Sequence, residues 1–407
     1  MAESTTLNTV PGQNFLPRIA SIDILRALTM VLMIFVNDLG SLKGIPGWLE
    51  HVEFGVDGIG LADVVFPAFL FIVGMSLPFA MERRWKNGES DRLILAHILL
   101  RTLALLVMGV FLVNGETING PATGMPRYLW NPLCCLSFIL IWNAYSIKIN
   151  KKLSYGLKVS GMAILLVLAV LYRGGPDEAI YRFGTHWWGI LGIIGWAYLV
   201  SALIVFLGRN RFLPLLAGWV FFCVLSIATR AVPDLKDLLT LFPGPISIGT
   251  YPALTMGGVL VAWVFRYFRQ RRDDKTMALV FAAALVMLVA LSILTRPYWG
   301  LAKLGSTPAW LFLCSAFTLG AFLIIHWLAD IKGKAAWFNI IKPAGTDTLL
   351  CYLMPYFVVF VLYRVLHIRF PEFILTGGMG LFKSFLLAMF CVWLTKILNS
   401  AGVKLKL

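Results

Sequence analysis

The sequence predicts an all-α protein, a polytopic membrane helix bundle of about twelve transmembrane helices without a large soluble domain. Two observations predict this fold class. Hydrophobic residues make up 59% of the 407 residues and charged residues 14%, and the mean hydropathy is +0.82. Apolar runs long enough to cross about 30 Å of hydrocarbon also recur along the whole chain. A soluble globular protein is less apolar and carries more charge.

The apolar runs follow one another with only short connections between them. Each is long enough for a helix that rises about 1.5 Å per residue to cross the hydrocarbon core. The predicted spans cover residues 19–40, 59–81, 92–114, 128–147, 154–172, 187–207, 212–230, 249–268, 276–294, 308–328, 343–365 and 374–398. Pro67, Gly74 and Pro78 interrupt the second span, where a freed backbone group needs a neighbour or water as its partner.

Positive charge alternates between the two sets of connections, and this alternation predicts the orientation of the helices. One set holds most of the lysines and arginines, in residues 83–92, 148–158, 209–211, 266–275 and 332–342. The opposite set is poorer in them. Because cytoplasmic loops carry the excess of positive charge, we expect both termini to lie in the cytoplasm.

The chain divides into one large domain and two tails. Residues 1–17 are polar and lack the basic start and the cleavage site of a secretory signal, so we expect a flexible cytoplasmic tail there. Residues 18–400 form a single predicted transmembrane domain, and residues 401–407 a basic cytoplasmic tail. The connections are too short for a separate soluble domain.

Several classes of protein find no support in the sequence. The net charge of +15 is dispersed over short loops, which predicts contacts with anionic membrane lipids and no nucleic acid partner. The six cysteines lack Cys-x-x-Cys spacing and the five histidines lack a His-x-x-x-His pair, so no metal site is expected. Walker-type and Gly-x-Gly-x-x-Gly loops are missing as well, which argues against an ATP-driven pump.

Three polar residues share one face of the first predicted span. Asp23, Arg26 and Asn37 fall close together on a helical wheel, and the face that they mark runs about 21 Å along the helix. Polar groups at such depth normally face a bundle interior or a water-filled cavity. Asp23 and Arg26 also fit a structural ion pair. The functional alternative is that Arg26 faces an anionic cofactor that enters from the cytoplasm.

A histidine and an aspartate lie in the connection between the first two spans and just after it. A helical hairpin would bring His51 close to Asn37 and to Asp63. Histidine can take a proton from an amine or a hydroxyl group, a carboxylate can fix its tautomer, and an amide can donate to a developing oxyanion. Spacing alone also fits an interfacial histidine beside a helix-capping aspartate. Asp57 in the same loop is the candidate for a second carboxylate.

Aromatic side chains cluster in the connections opposite to the basic ones. They are Trp48, residues 128–131, His186 to Trp188, Tyr251, Tyr298 and Trp299. Such residues form the interfacial aromatic belt of many membrane proteins. Next to a polar helix face they also fit a surface on which sugars stack, and we expect Asp57, His186, Trp187 and Trp188 to contact the substrate.

At these residues the sequence resembles a known family. It has the pattern Ser-x-Asp-x-x-Arg-Ala from Ser21, Phe-Val-Asn ending at Asn37, a histidine-bearing loop, and Leu-Ala-Asp-Val-Val-Phe-Pro at 61–67. These motifs are similar to those of the transmembrane acetyltransferases typified by heparan-alpha-glucosaminide N-acetyltransferase and its bacterial relatives. The resemblance continues in order through residues 189–195, 248–254, 306–320 and 345–352.

The resemblance implies an activity and the residues that perform it. The activity is transfer of an acetyl group from cytoplasmic acetyl-CoA to an amino sugar or related glycan across the cell inner membrane. The family's catalytic histidine matches His51, its asparagine matches Asn37, and its aspartate matches Asp63. We expect Arg26 and Asp23 to bind acetyl-CoA. The sequence is also compatible with a homodimer.

Departures from the family pattern concern the acceptor. Where the family often reads Arg-Ile-Pro-Gly-Val-Leu-Gln-Arg-Leu-Gly, this chain has His186, Gly192 and Ile193 in place of the Arg, the Gln and the second Arg. Its loop from His51 to Asp63 is also longer. The span count and the buried charges fit a secondary transporter of a sugar or an anion equally well. A non-catalytic scaffold would instead tolerate substitutions along the polar face of the first span.

Overall fold

Twelve long helices build the bundle in the computed structural model, which describes residues 19–145 and 150–407. They are α1 (Ala20–Leu39), α2 (Leu61–Lys86), α3 (Asp91–Asn114), α4 (Arg127–Trp142), α5 (Lys151–Leu171), α6 (Gly189–Leu207), α7 (Phe212–Ala231), α8 (Thr250–Arg271), α9 (Asp274–Trp299), α10 (Pro308–His326), α11 (Thr348–Phe360) and α12 (Gly377–Ser400). The predicted tail at residues 1–17 lies outside the described residues.

The prediction of an all-α membrane bundle is confirmed. Ten of the described helices are long and apolar enough to cross a membrane. The two other long helices are α4, with 16 residues, and α8, with 22. α4 is about 24 Å long and therefore shorter than the hydrocarbon core. α8 contains Thr250, Tyr251 and Arg266 and is largely buried by its neighbours, so its surface need not be apolar.

Short helical turns connect the long helices, and none of the described residues belongs to a β-strand. The turns cover Gly47–Leu49, Gly120–Thr123, Pro233–Leu238, Leu239–Leu241, Gly244–Ser247, Trp327–Ile331, Ala335–Phe338, Lys342–Thr346, Val361–Val365 and Glu372–Leu375. Isolated bridges between single residues, such as that of Asn143 with Leu405, join segments that are distant in the sequence.

α2 and α8 touch backbone to backbone inside the bundle. A Cβ atom at Gly74 would lie 1.8 Å from the carbonyl oxygen of Thr255, and one at Gly258 would lie 1.8 Å from that of Phe71. Only glycine fits at these two positions, as is common where membrane helices pack closely. The helix of α2 is continuous through both of its prolines, so Gly74 serves close packing and does not interrupt the span.

α1 lies inside the bundle, whereas several other helices form its rim. α1 packs against α2, α10, α11 and α12. In α5, α7 and α9 only 17%, 22% and 22% of the apolar window is buried, so these helices present most of their surface to lipid. The polar residues of α1 therefore face protein and internal space.

Basic residues gather at one end of the bundle, where α2 and α8 end and α3 and α7 begin. Arg266 pairs with Glu82, and Arg209 pairs with Asp91, so these helix ends lie together. We call this the basic end, and the opposite one the His51 end.

The residues after α12 fold back onto the bundle at the basic end. The backbone N–H of Ala144 donates to the carbonyl oxygen of Lys404 at 2.8 Å, and the N–H of Leu405 donates to the carboxylate of Asp347 at 3.2 Å. The segment 401–407, expected as a basic tail, thus lies against the end of α4 and the start of α11.

Candidate active site

His51 and Asp63 form a hydrogen-bonded pair at the His51 end. Nδ1 of His51 lies 2.7 Å from Oδ1 of Asp63, and the other carboxylate oxygen accepts the backbone N–H groups of Val52 and Gly60, each at 3.1 Å. Asp63 is buried at the first turn of α2. The indole N–H of Trp310 donates to its backbone carbonyl at 3.0 Å. Asp63 therefore caps the helix and holds the histidine loop with the same carboxylate.

This pairing determines which imidazole nitrogen is left for a substrate. An ionised carboxylate only accepts hydrogen bonds, so Nδ1 of His51 carries the hydrogen and donates it to Asp63. In the neutral imidazole, Nε2 then has the free lone pair. The side chain of His51 is 47% exposed while that of Asp63 is 2% exposed, so the imidazole is accessible to a ligand and the carboxylate is not.

Lys303 is a third member of this cluster. Its Nζ lies 3.2 Å from Nδ1 of His51 and 3.9 Å from Oδ1 of Asp63. Burial lowers the pKa of the Lys303 ammonium, and the charge of Asp63 raises it in part. In the sequence Lys303 is only one more basic residue of a loop, because 252 positions separate it from His51.

Asp57 fastens the loop that carries Lys303 to the loop that carries His51. Both of its carboxylate oxygens lie 3.1 Å from Nε of Arg296, and one accepts the backbone N–H of Leu301 at 2.7 Å. The N–H of Gly58 donates to the carbonyl of Leu301 at 2.9 Å. The hydrogen bond from Leu301 lowers the pKa of Asp57; burial opposes this, and Arg296 adds to the lowering. The sequence analysis expects Asp57 to contact the substrate; in the structure its carboxylate holds the two loops together, and we call this contact with Arg296 and Leu301 the clamp.

A cavity of about 420 Å³ opens beside His51. Asn37, Trp187, Tyr251 and Lys303 line it together with His51. The amide of Asn37 makes no hydrogen bond within the described part of the chain, so its donor and acceptor groups remain for solvent or a ligand. The cavity thus collects an imidazole, an amide, an ammonium group and aromatic rings, with apolar walls elsewhere.

The segment 186–188 sends only one of its side chains into this cavity. Nε2 of His186 lies 3.1 Å from the amide oxygen of Asn114, and the ring of Trp188 packs edge to face on Trp196 at 5.2 Å. Trp187, 45% exposed, lines the cavity. The backbone explains the difference, because His186 and Trp188 both have positive φ, so successive side chains point in different directions.

A second cavity, of about 510 Å³, opens at the basic end around Arg26. The guanidinium group donates to Oγ of Ser76 at 2.6 Å and to Oδ1 of Asp23 at 3.2 Å. Asp347 and residues 405–407 complete the wall on the far side. Arg26 is therefore the ion-pair partner of Asp23 and also part of a cavity wall.

Three further basic side chains face this second cavity, and the sequence did not single them out. They are Arg84, His97 and Arg101. The guanidinium carbon of Arg101 lies 4.8 Å from the ring centre of Tyr198, and no carboxylate within the described ranges forms an ion pair with it. For His97 and Arg101 the signal is present in α3, where basic residues recur inside an apolar run.

The two cavities have two lining residues in common. Met33 of α1 and Ile190 of α6 line both of them. Arg26 lies on one side of this shared wall and Asn37 on the other, as the polar face of α1 predicts. Asp23 borders a separate cavity of about 400 Å³ beside Lys342.

Metal ligands do not cluster anywhere in the described ranges. No group of three or more His, Cys, Asp or Glu side chains there is arranged to hold a metal ion. The cysteines of the described residues are buried and unpaired.

Fold and site together define a multi-pass helical membrane protein with a histidine–aspartate pair at one end and a cationic cavity at the other. The chain belongs to the family described as a domain of unknown function, DUF5009, whose model matches residues 18–231.

Two curated relatives are heparan-alpha-glucosaminide N-acetyltransferases. The protein from Homo sapiens is 34% identical over 105 residues, and the one from Mus musculus is 36% identical over 104 residues. Each match covers 26% of this chain and only 15% of the relative's own length. The resemblance to this transmembrane acetyltransferase family, expected from the motifs around Asn37 and Asp63, is confirmed over that stretch.

Proposed function

We propose that this protein is a membrane-embedded acyltransferase that moves an acetyl group from acetyl-CoA at the basic end to an amino sugar or related glycan at the His51 end. Its curated relatives are named as N-acetyltransferases of a glucosaminide, which supports the reaction class. The observation that carries the proposal is the pair of cavities that share Met33 and Ile190. A donor in one cavity and an acceptor in the other would then lie on either side of these two residues.

The basic end suits the anionic part of the donor. Arg26, Arg84 and Arg101 line a cavity whose size is typical of cofactor sites. Arginine binds phosphate groups through two parallel hydrogen bonds, and a guanidinium group that lacks a carboxylate partner, such as that of Arg101, is available for one. The nucleotide would lie at the cationic mouth and the acyl-bearing arm would point along α1 towards Met33.

The His51 end suits the chemistry. In a direct route the acceptor amine attacks the thioester carbonyl, His51 takes the proton of the amine, and the C–S bond breaks to release CoA as the thiol once a proton is returned. In a covalent route Nε2 of His51 attacks first and displaces the thiolate, and the amine then takes the acetyl group from the imidazole. In both routes Asp63 fixes the tautomer, and Asn37 positions the acyl group or donates to the oxyanion.

The remaining features of the proposal concern the acceptor and the orientation. Trp187 offers an exposed ring beside His51, which suits the apolar face of a sugar. The excess of positive charge at the basic end favours a cytoplasmic location for that end and for both termini, in the inner membrane of the cell. Anionic lipids would then contact the basic loops.

The test measures turnover of acetyl-CoA by the purified full-length protein. We expect radiolabelled acetyl to move from acetyl-CoA to one or more members of a panel of amino sugars, oligosaccharides and glycan lipids. His51→Ala should abolish transfer, while His367→Ala, which removes an exposed histidine that lines neither cavity, should leave it intact. Label trapped on His51 without acceptor would select the covalent route.

Two outcomes would overturn the proposal. Absence of thioester consumption with every acceptor, together with uptake of a sugar or anion into vesicles, would identify a secondary transporter, which has no reason to consume acetyl-CoA. Full activity of His51→Ala would show that the chemistry lies elsewhere in the bundle.

A further inference from the structure

Lys303 brings a positive charge to the place where the candidate site already holds one negative charge. Asp63 is buried, and its carboxylate has hydrogen bonds from Val52, Gly60 and His51. A lone buried carboxylate beside an imidazole would draw a proton onto the ring, because an opposite charge favours the charged form of its neighbour. A protonated imidazole has no free lone pair and can act neither as base nor as nucleophile.

We propose that Lys303 is a positioning residue that compensates the charge of Asp63 and so keeps the imidazole of His51 neutral, with Nε2 free for a substrate. The geometry supports this role. The ammonium nitrogen lies 3.9 Å from Oδ1 of Asp63 and 3.2 Å from Nδ1 of His51. Since Nδ1 already donates its hydrogen to Asp63, Lys303 does not accept from or donate to that nitrogen. It acts through charge on both partners.

The charge count of the cluster explains the effect. With Lys303 present, a neutral imidazole gives the cluster a net charge of zero, and a protonated imidazole leaves one positive charge uncompensated. Without Lys303 the order reverses, because only a protonated imidazole then balances Asp63. The role for Lys303 follows from these three side chains and rests on the proposed function only where turnover is used as the readout.

The other ionisable groups around His51 do not replace Lys303. Tyr251 lines the same cavity from α8, and Cys314 of α10 is buried near Asp63 and Lys303. Both are neutral groups in their ordinary state. Glu50 and Glu53 of the histidine loop are exposed and form no ion pair in the described ranges, so solvent screens them. The charged neighbour from the loop after α9 is Lys303.

The fold holds the loop of Lys303 at several points, which a mobile surface lysine would not need. The clamp of Asp57 on Leu301 holds its start. Near its end, the hydroxyl of Tyr251 lies 2.7 Å from Oγ of Ser306, and Oγ1 of Thr250 donates to the carbonyl of Ser306 at 2.8 Å. Ser306 adopts a φ of 50°, a strained conformation that such contacts have to maintain.

The experiment reads the protonation of His51 directly, without turnover. Of the two protonation states of histidine, diethyl pyrocarbonate modifies only the neutral one, and mass spectrometry of the digested protein gives the rate at each histidine separately from other modified side chains. At neutral pH we expect Lys303→Met to slow the modification of His51 by about tenfold, the change that a charge within about 4 Å of an ionisable group commonly makes. Lys303→Arg, which keeps the charge, should stay close to wild type. The exposed His367 in the same digest is the internal reference.

The outcomes separate this inference from the proposed function. An unchanged rate at His51 in folded Lys303→Met overturns the inference, whatever the enzyme activity is. If Lys303→Met does not fold, Lys303→Gln supplies the same loss of charge with a polar side chain. In the turnover assay, Lys303→Met should move the acidic limb of the pH–rate profile to higher pH. A slowed modification of His51 in a protein without any acetyl transfer would support the role of Lys303 and refute the proposed function.

Discussion

The cavity at the basic end and the cavity at the His51 end are built from different parts of the chain. Helices supply the charges of the first: Arg26 from α1, Arg84 from α2 and Arg101 from α3. Loops supply two ionisable groups of the second, His51 from the connection before α2 and Lys303 from the connection before α10. Permanent charge on helices suits binding, and ionisable groups on loops that are docked to helices suit chemistry. Under the proposed function, the first cavity would hold the donor and the second would be the place where its acyl group is transferred.

The strongest test of this division between the two cavities is to enlarge a side chain that lines both of them. Met33→Trp enlarges a side chain between them, so we expect acetyl transfer to fall about 100-fold, as a small misplacement of reacting groups can cause. The affinity for acetyl-CoA should stay within about threefold, because the arginines are untouched. Turnover and calorimetric binding measure the two quantities. The volume-conserving Met33→Leu is the control, and equal losses in both quantities would show that the wall belongs to the donor site.

Removal of a cation at the basic end should do the opposite. Arg101→Met is expected to weaken acetyl-CoA binding by about 10- to 100-fold, the range for one charge-assisted hydrogen bond, with little change in kcat. Arg209→Met is the matched control, since Arg209 is exposed at the same end and does not line the cavity. If the two variants bind acetyl-CoA equally well, the anionic part of the donor lies elsewhere.

A smaller effect distinguishes the ammonium group at the His51 end from an ordinary lysine. Burial lowers the pKa of Lys303, so its neutral amine should appear at a pH below the usual lysine value of about 10.4. Competitive labelling with an amine reagent across pH, read by mass spectrometry, gives the midpoint. Asp63→Asn should move the midpoint lower still, because the carboxylate raises the pKa. A midpoint at or above the usual value would contradict the desolvated placement of Lys303.

The smallest expected effect concerns the clamp between the two loops. Asp57→Asn keeps the shape of the side chain but removes the charge opposite Arg296. Because exposed ion pairs contribute little, we expect the rate of acetyl transfer to fall by only about threefold. The pKa of Asp57 is lowered, so the clamp contributes fully above the ordinary carboxyl range and is lost only as the pH falls through the lowered value. Lys303 labelling and turnover should therefore respond to Asp57→Asn at neutral pH. Glu53→Gln, in the same loop and exposed, should change neither.

Local sequence patterns predicted most of the fold and one part of the candidate site. Hydropathy marked each of the long helices, and the spacing of Asn37, His51 and Asp63 predicted their meeting at one end. α8 is less apolar than the other long helices. Because neighbouring helices bury much of it, its polar side chains need not be exposed to lipid. Hydropathy measures contact with lipid, and a central helix has little of it.

The residues that the sequence did not reveal depend on tertiary structure. Lys303 reaches His51 across 252 positions, and no local pattern distinguishes it from other loop lysines. The backbone of the segment 186–188 is not visible in local patterns either. Its aromatic and basic residues predict that all three side chains share one surface. The backbone at His186 and Trp188 is left-handed, so successive side chains point in different directions, and of the three only Trp187 lines the cavity.

The glycine contact between α2 and α8 also limits how the protein can move. Two helices whose backbones touch at Gly74 and Gly258 have no layer of side chains on which to slide or roll. The contact restrains sliding at the point where the helix that carries Asp63 crosses the helix that carries Tyr251. Shear between these helices, the kind of motion on which a rocking transporter depends, would first have to break this contact.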